Sequence, residues 1–219
     1  MNFEKEKMGL AAKISAAIVL GVGFMGVLPS VMPNSSVVSA EKITIDANNF
    51  NEFYDVQTKT LTIPAIKGDD TLSYNLSKDL KNEVEHVTIL NGATTIPRDA
   101  FMFFTNLKSV TIPNSVTSIG DHAFEKCRNL TSVTIPEGVT SIGDHAFEGC
   151  RNLTSVTIPE GVTSIGRSAF AYCRNLTSVT IPENSNLKSI GDHAFAVCWN
   201  LTSVSIPTSV TSIGDHAFF

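Results

Sequence analysis

The amino-acid sequence predicts an α/β repeat solenoid, in which short coils of chain stack on one another. The stretch at 130–152, LTSVTIPEGVTSIGDHAFEGCRN, recurs almost unchanged along much of the chain. The phenylalanine of its Ala-Phe pair returns at intervals of 23, 23, 23, 25 and 23 residues. A fixed period of this length is typical of stacked coils rather than of one compact core. The phenylalanines concerned are Phe101, Phe124, Phe147, Phe170, Phe195 and Phe218.

The first part of each unit has the pattern of a short strand. Leu130, Val133 and Ile135 follow the spacing L-x-x-L-x-L. Alternation places Val133 and Ile135 on one face of the strand, with Ser132 and Thr134 on the other face. The proline that follows ends the strand because it has no backbone N–H. We therefore expect one short parallel strand per coil.

The second part of each unit has the pattern of a turn. Gly143 permits a turn that branched residues resist, and Asp144 is placed to cap the turn that follows it. Ala146, Phe147 and Cys150 have the spacing of one helical or 3₁₀ turn that faces the interior. One unit buries too little apolar surface to offset the entropy of ordering its backbone. The coils are therefore expected to be stable only when stacked.

The N-terminal region, 1–40, is predicted to be a signal peptide. Three lysines flank the start of an apolar run at 14–28, and small residues at Val38 and Ala40 predict cleavage after Ala40. The alternative is a single membrane anchor. The run is shorter than the ~20 residues that a spanning helix needs, and it contains three glycines. We therefore expect export, with no membrane insertion after cleavage.

The remaining chain divides into an N-terminal cap at 41–83 and repeats at 84–219, six units of which the last is incomplete. The segment 41–83 lacks the repeat but echoes its strand at 60–64, TLTIP. Ser77 is placed to cap a short helical turn. Because the end coil of a solenoid exposes its core, an atypical covering segment is expected there. A separate binding domain is the alternative, but about forty residues with few large apolar side chains are too few to fold alone.

The repeat motif is similar to that of a known family. The pattern N-L-T-S-V-T-I-P-E-G-V-T-S-I-G-x-x-A-F-x-x-C, at 129–150 and 152–173, resembles the leucine-rich repeats of BspA-like bacterial surface proteins. The resemblance covers 84–219 and is weakest in the first unit, with Leu90 for Pro and Pro97 for Gly. It implies a leucine-rich-repeat right-handed superhelix, secreted or on the cell surface, used for adhesion and protein binding. It does not identify a ligand.

Each outward strand position becomes a column of hydroxyl side chains when the coils stack, about 4.8 Å apart. These columns are candidate binding residues for a protein, a peptide or a glycan. The alternative is that threonine simply suits strands and that hydroxyls link neighbouring strands. The candidates are Lys108, Thr131, Ser132, Thr134, Thr154, Ser155, Thr157, Thr177, Ser178, Thr180 and Thr202.

A second candidate column consists of Arg128, Arg151, Arg174 and Trp199. One interpretation is a basic edge that grips carboxylate or sulfate groups, with Trp199 as an anchor. The other is a solvated rim without a ligand.

Three further columns favour structural interpretations. The histidines, with His145 as an example, are interrupted by Ser168, so we expect neither a metal nor a cofactor. The four cysteines, spaced by 23, 23 and 25 residues, are predicted to be free buried thiols. The alternative for the cysteines is a set of disulfides, since exported proteins carry them. The asparagines begin Asn-Leu-Thr sequons, or they stack their amides as a ladder.

The sequence predicts a binding protein rather than an enzyme. Every candidate nucleophile occurs as a column, so no unique catalytic set stands apart from the repeat. A net charge of -5 without a dominant basic face argues against nucleic acid as a partner. The expected partner is a protein, such as a host matrix protein or another cell surface, and a glycan is a further candidate. The alternative function is the recognition arm of a larger secreted enzyme or wall-associated protein.

Overall fold

The computed structural model describes residues 43–46, 48–65, 72–75 and 77–219. The predicted signal peptide and its cleavage point lie outside these residues. The repeats form a solenoid in which parallel strands of successive coils pair one coil apart, mostly at a spacing of 23 residues. The predicted fold class is therefore confirmed.

The segment before the repeats continues the solenoid. Strand β3 (Thr60–Ile63) pairs in parallel with the first repeat strand, matching Leu61 to Val87. Strand β2 (Tyr54–Asp55) pairs with β3 in antiparallel fashion. The predicted cap at Ser77 is present, since its Oγ accepts a hydrogen bond from the N–H of Leu80. The boundary at 83 stays a prediction. The elements are β1 (Ile43–Asp46), α1 (Phe50–Phe53), β2 (Tyr54–Asp55), β3 (Thr60–Ile63), β4 (Leu72–Asn75) and α2 (Lys78–Glu83).

The predicted strand forms along one side of the solenoid in four of the six repeats, and the repeats at 132–134 and 203–205 lack it. Alternation turns the valine inward and the serine and threonine outward, as in Ser155–Thr157, where only the valine is buried. Strand β3 pairs with the strands of the first two repeats, β5 (His86–Ile89) and β7 (Ser109–Thr111), in one sheet. Strand β10 (Ser155–Thr157) pairs with β12 (Ser178–Thr180). Between them the same Ser-Val-Thr sequence, at 132–134, does not form a strand. The strands of this line are β5 (His86–Ile89), β7 (Ser109–Thr111), β10 (Ser155–Thr157) and β12 (Ser178–Thr180).

A second line of strands, which the sequence analysis missed, consists of Thr-Ile or Ser-Ile pairs and forms a six-stranded parallel sheet. Two residues are too few to show an alternating pattern, so periodicity could not detect these strands. The two extra residues of the fourth interval are absorbed before β13 (Ser189–Ile190), because Ser164 still pairs with Ser189. The strands are β6 (Thr95–Ile96), β8 (Ser118–Ile119), β9 (Ser141–Ile142), β11 (Ser164–Ile165), β13 (Ser189–Ile190) and β14 (Ser212–Ile213).

The third side of each coil is a turn, and the prediction of a helical or 3₁₀ turn there is wrong: the structure has no helix at 84–219. Backbone N–H groups bond alternately within the coil and to the next coil. Ala123 N–H donates to the carbonyl of Gly120 (3.3 Å), whereas Phe124 N–H donates to Ala146 of the next coil (2.7 Å). The backbone of His122 and Lys126 is left-handed, with φ of 56° and 60°. This conformation interrupts a right-handed helix and turns alternate N–H groups toward the neighbouring coil.

The core consists of continuous columns of apolar side chains. Successive phenylalanine rings from Phe101 to Phe218 stack with centroids 5.1–5.4 Å apart. Leucines such as Leu130 and Leu153 are fully buried beside them. Each coil therefore buries its apolar residues mainly against its neighbours, as the stacking argument requires.

The glycine that follows Ser-Ile in five of the six units is required by the close approach of two coils. A Cβ on Gly143 would lie 2.6 Å from the backbone nitrogen of Asp121 in the preceding coil, and one on Gly166 would lie 2.6 Å from Asp144 in the same way. Neither glycine has the positive φ that a turn would demand. The sequence analysis expected a turn at this glycine, but the left-handed residue is the histidine two positions later.

Candidate functional site

The outward residues of the Ser-Val-Thr line, with the residue before them, define the strand face. On this face the threonine before each strand has a structural role. The hydroxyls of Thr131, Thr154 and Thr177 donate to backbone carbonyls of the preceding coil, at 3.3, 3.4 and 3.0 Å. A hydroxyl that links two coils is less available to a ligand. The structure therefore favours the structural interpretation for these three candidates.

Lys108 is also engaged within the protein. Its Nζ pairs with Glu85, whose carboxylate also binds Lys59 at 2.6 Å. The hydrogen bonds from Lys108 and Lys59 lower the pKa of Glu85 to about 2. This three-membered ion pair joins the segment before the repeats to the first two coils, and sequence analysis did not detect it because its members are 26 and 23 residues apart.

The other candidates of the strand face are open to solvent. Among the residues that the structure describes, none forms a hydrogen bond with their hydroxyl groups. In β10 and β12 the register places serine beside serine and threonine beside threonine. These side chains form two free hydroxyl rows, which we call the free rows. They comprise Ser132, Thr134, Ser155, Thr157, Ser178 and Thr180, all of them exposed. Thr202 is exposed in the last described coil.

The arginine column lies on a different edge, which we call the arginine row: Arg128, Arg151, Arg174 and Trp199. Arg128 and Arg151 are exposed, and Trp199 is 70% exposed. The guanidinium carbon of Arg174 lies 4.4 Å from the centre of the Trp199 ring, a cation–π contact. Within the described part of the chain, no carboxylate lies at ion-pair distance from these arginines.

The turns that carry Asp, His, Phe and Cys, with the Asn that follows them, define the turn face. Here polar side chains connect neighbouring coils. The carboxylate of Asp144 accepts a hydrogen bond from the backbone N–H of Arg167 in the next coil at 2.7 Å. The expectation that Asp144 caps its own turn is therefore wrong. Asn152 donates its amide to Asn129 and accepts from Asn175, each at 3.4 Å. The amide-ladder interpretation is therefore confirmed.

The cysteines are free and buried, as predicted. Each thiol donates to the carbonyl of a phenylalanine in the preceding coil; Cys150, for example, reaches Phe124 at 3.3 Å. Burial raises the pKa of all four thiols, to about 12 for Cys198. At neutral pH these thiols stay protonated and are poor nucleophiles.

The histidines stack in pairs on the turn face. The rings of His122 and His145 are 4.7 Å apart and nearly parallel. His122 Nδ1 lies 2.6 Å from the buried carboxylate of Glu125. Burial opposes ionisation of Glu125, but hydrogen bonds from Lys126 and His122 hold its pKa below the ordinary value. Among the described residues, no group of three metal-ligating side chains comes together.

Two further aromatic residues are exposed on the repeats. Phe103 and Tyr172 occupy the same position of the repeat and are 42% and 45% exposed. Lys126 Nζ lies 4.9 Å from the centre of the Phe103 ring. Neither residue is among the candidates drawn from the sequence. An aromatic residue at a position held elsewhere by Lys, Gly and Val was the available signal.

Taken together, the stacked parallel strands and the buried leucine and phenylalanine columns define a leucine-rich-repeat solenoid. A model of the BspA type leucine rich repeat region matches residues 81–219 in six copies, and the chain belongs to this family. The resemblance stated from the motif is thus confirmed. No curated protein sequence matches the chain.

Solved structures of bacterial leucine-rich repeat proteins are similar. A leucine rich cell surface protein from Faecalibacterium prausnitzii has 32% identity and a TM-score of 0.61 over 87% of this chain and 52% of its own. A leucine-rich repeat protein from Bacteroides ovatus has 27% identity and a TM-score of 0.59 over 89% and 56%. The T. pallidum leucine rich repeat protein has 28% identity and a TM-score of 0.59 over 71% and 72%. The chain thus spans about half the length of the first of these proteins.

None of the helices in the described residues is long and apolar enough to cross a membrane.

Proposed function

We propose that the chain is a secreted or cell-surface protein that binds protein partners, in adhesion, through the free rows of its strand face. The observation that carries the proposal is that these hydroxyls are exposed and have no partner within the described chain, whereas the neighbouring threonine column bonds to backbone carbonyls. Partnerless hydroxyls can donate to and accept from a ligand backbone without first breaking a protein hydrogen bond. Family membership and the likeness to a bacterial cell surface protein support the same function.

A binding role is favoured over catalysis by the chemistry of the described residues. The cysteines are protonated and buried, and the histidines of the turn face pair with carboxylates or stack on each other. Neither set offers an activated nucleophile next to a general base. We therefore assign no cofactor and no reaction to the chain.

Binding is tested on an array of immobilised extracellular-matrix proteins and whole bacterial cells. The full-length chain is expected to bind at least one of them at micromolar concentration. A variant with Ser155→Glu and Ser178→Glu is expected to lose this binding, because two carboxylates stand in the free rows. A matched control with Asn114→Glu and Thr208→Glu adds the same charge at exposed positions elsewhere. Equal loss in both variants, or no binding by the parent chain, would refute the assigned face.

Export is tested separately. The chain produced in a bacterial host with a Sec pathway is expected to appear outside the cytoplasm with Glu41 at its N-terminus. N-terminal sequencing of the exported protein gives the answer. A cell-associated chain that retains residues 1–40 would contradict the predicted signal peptide and support the membrane anchor.

A further inference from the structure

The arginine row is an uncompensated set of positive charges on an acidic protein. The chain has a net charge of -5, yet Arg128, Arg151 and Arg174 have no ion pair with the described residues. The carboxylates at the nearby turn positions are already engaged, Glu125 by Lys126 and His122, and Glu148 by His145. The positive charge of the row is therefore not neutralised within the described chain and attracts external anions.

The spacing of the row favours a polymer with a repeated charge. Each arginine comes from the same position of consecutive coils, which lie about 4.8 Å apart. The row therefore presents positive charges at a regular spacing, and a ligand with negative charges at a regular spacing would match it. A folded protein or a peptide of mixed sequence seldom supplies that pattern. Guanidinium groups bind carboxylates through two parallel hydrogen bonds, so a chain with carboxylates at a regular interval fits the row.

The end of the row supplies an aromatic surface. Trp199 takes the place of the arginine in the coil that follows Arg174. One side of its ring contacts Arg174, and most of the residue is still exposed. Arg174 Nε is covered and has no hydrogen-bond partner within the described chain, so no protein acceptor holds this nitrogen. An exposed ring beside a guanidinium suits a sugar unit that carries a carboxylate.

We propose that the arginine row binds a linear polysaccharide whose sugar units carry carboxylates, with one unit packed on Trp199. The site is separate from the free rows, so it holds or fails independently of the proposed protein binding. Its partner class is a polyuronate, and the row binds several units at once. Binding is expected to weaken as salt rises from about 0.05 to about 0.5 M, because exposed charges are screened.

The test uses the full-length chain and immobilised polygalacturonate, with neutral dextran as the blank. The triple variant R128A/R151A/R174A is expected to bind at least about tenfold more weakly, since each guanidinium loses a charge-assisted contact. The control R98A/R167A/K188A removes the same charge at other exposed positions and is expected to change affinity less than about threefold. Circular dichroism checks that both variants are folded. Equal weakening in the two variants would overturn the proposal.

Two further measurements keep the proposal falsifiable even if a variant misfolds. Trp199 is the only tryptophan of the chain, so its fluorescence reports on the site in the unaltered protein. Polygalacturonate is expected to change the emission and dextran is expected to leave it unchanged; no response to polygalacturonate would overturn the proposal. Surfaces of poly-glutamate and dextran sulfate test the other sources of anions. Tighter binding to poly-glutamate would mean an acidic peptide site, and binding to dextran sulfate alone would mean a sulfate site; either result overturns the polyuronate assignment.

Discussion

The turn face and the strand face of the solenoid differ in how they use polar side chains. On the turn face, Asp144, Asn152 and Cys150 each form a hydrogen bond to a neighbouring coil. On the strand face, Ser155 and Thr157 form none with the described residues and are open to solvent. Both faces repeat with the same period, so repetition alone does not separate a structural column from a binding column. The hydrogen-bond partner of each side chain makes that distinction.

The largest effect is expected in the phenylalanine column behind the turn face. Phe147→Ala removes a fully buried ring that stacks on two others, at 5.1 and 5.2 Å, and is expected to lower the free energy of unfolding by about 3–5 kcal/mol. Val156→Ala, behind the strand face, removes less volume and is expected to cost roughly half of this. Urea unfolding followed by circular dichroism measures both. A smaller loss for Phe147→Ala than for Val156→Ala would reverse the ranking.

The next effect concerns the close approach of coils at the conserved glycine. Gly143→Ala places a methyl group 2.6 Å from the backbone of Asp121, and the expected loss of stability is about 1–3 kcal/mol. Gly138→Ala is the matched control, because its Cβ would meet carbonyl oxygens at a less severe 3.2 Å. If thermal unfolding gave equal losses for the two variants, close approach of the coils would not be the reason for this glycine.

A third effect tests the aspartate that bridges coils. Asp144→Ala removes the acceptor of the Arg167 N–H and is expected to cost about 0.5–1.5 kcal/mol. Glu137→Ala, an exposed carboxylate without a described contact, is expected to change stability by less than about 0.5 kcal/mol. Chemical denaturation of both variants decides whether the carboxylate of the turn face has the structural role assigned to it.

The sequence predicted the stacked coils and the inner columns because apolar periodicity records burial directly. It placed Val133 and Phe147 correctly in the core. It did not predict the Ser-Ile sheet, whose strands are two residues long. It also missed the left-handed backbone at His122, because a positive φ is uncommon even for histidine, which adopts it more often than most residues. It also read Asp144 as a cap within its own coil, because a contact to the next coil depends on how the coils stack and not on local sequence.

The same reason limits prediction of the candidate site. All hydroxyl columns look alike in the sequence, and Thr154, just before β10, and Thr157, within it, are both exposed. The structure separates them, since the hydroxyl of Thr154 bonds to the carbonyl of Thr131 and that of Thr157 does not bond within the described chain. For a similar reason, the sequence could not show whether the arginine row forms ion pairs, because its possible partners are far away in sequence.

The ion pair at the start of the repeats gives a pH-dependent prediction. Its lysines lower the pKa of Glu85 from 4.5 to about 2, so the carboxylate stabilises the folded state above pH 4.5, and this contribution is lost as the pH falls toward 2. Glu85→Gln is therefore expected to be less stable than the parent chain at pH 7 and equally stable at pH 2. Thermal unfolding across this range measures the difference. A gap that persisted unchanged at pH 2 would contradict the role of the charge.

The most direct test compares two threonines of one coil, three residues apart. Thr177→Val removes a hydroxyl that donates to the carbonyl of Thr154 at 3.0 Å. Thr180→Val removes a hydroxyl that belongs to the free rows. Thr177→Val is expected to lower the free energy of unfolding by about 0.5–1.5 kcal/mol, and Thr180→Val to leave it within about 0.5 kcal/mol of the parent. Equilibrium unfolding of the two variants, which have the same shape change, gives the answer. The account predicts the larger loss for Thr177→Val; an equal or larger loss for Thr180→Val would contradict the division between structural and free columns.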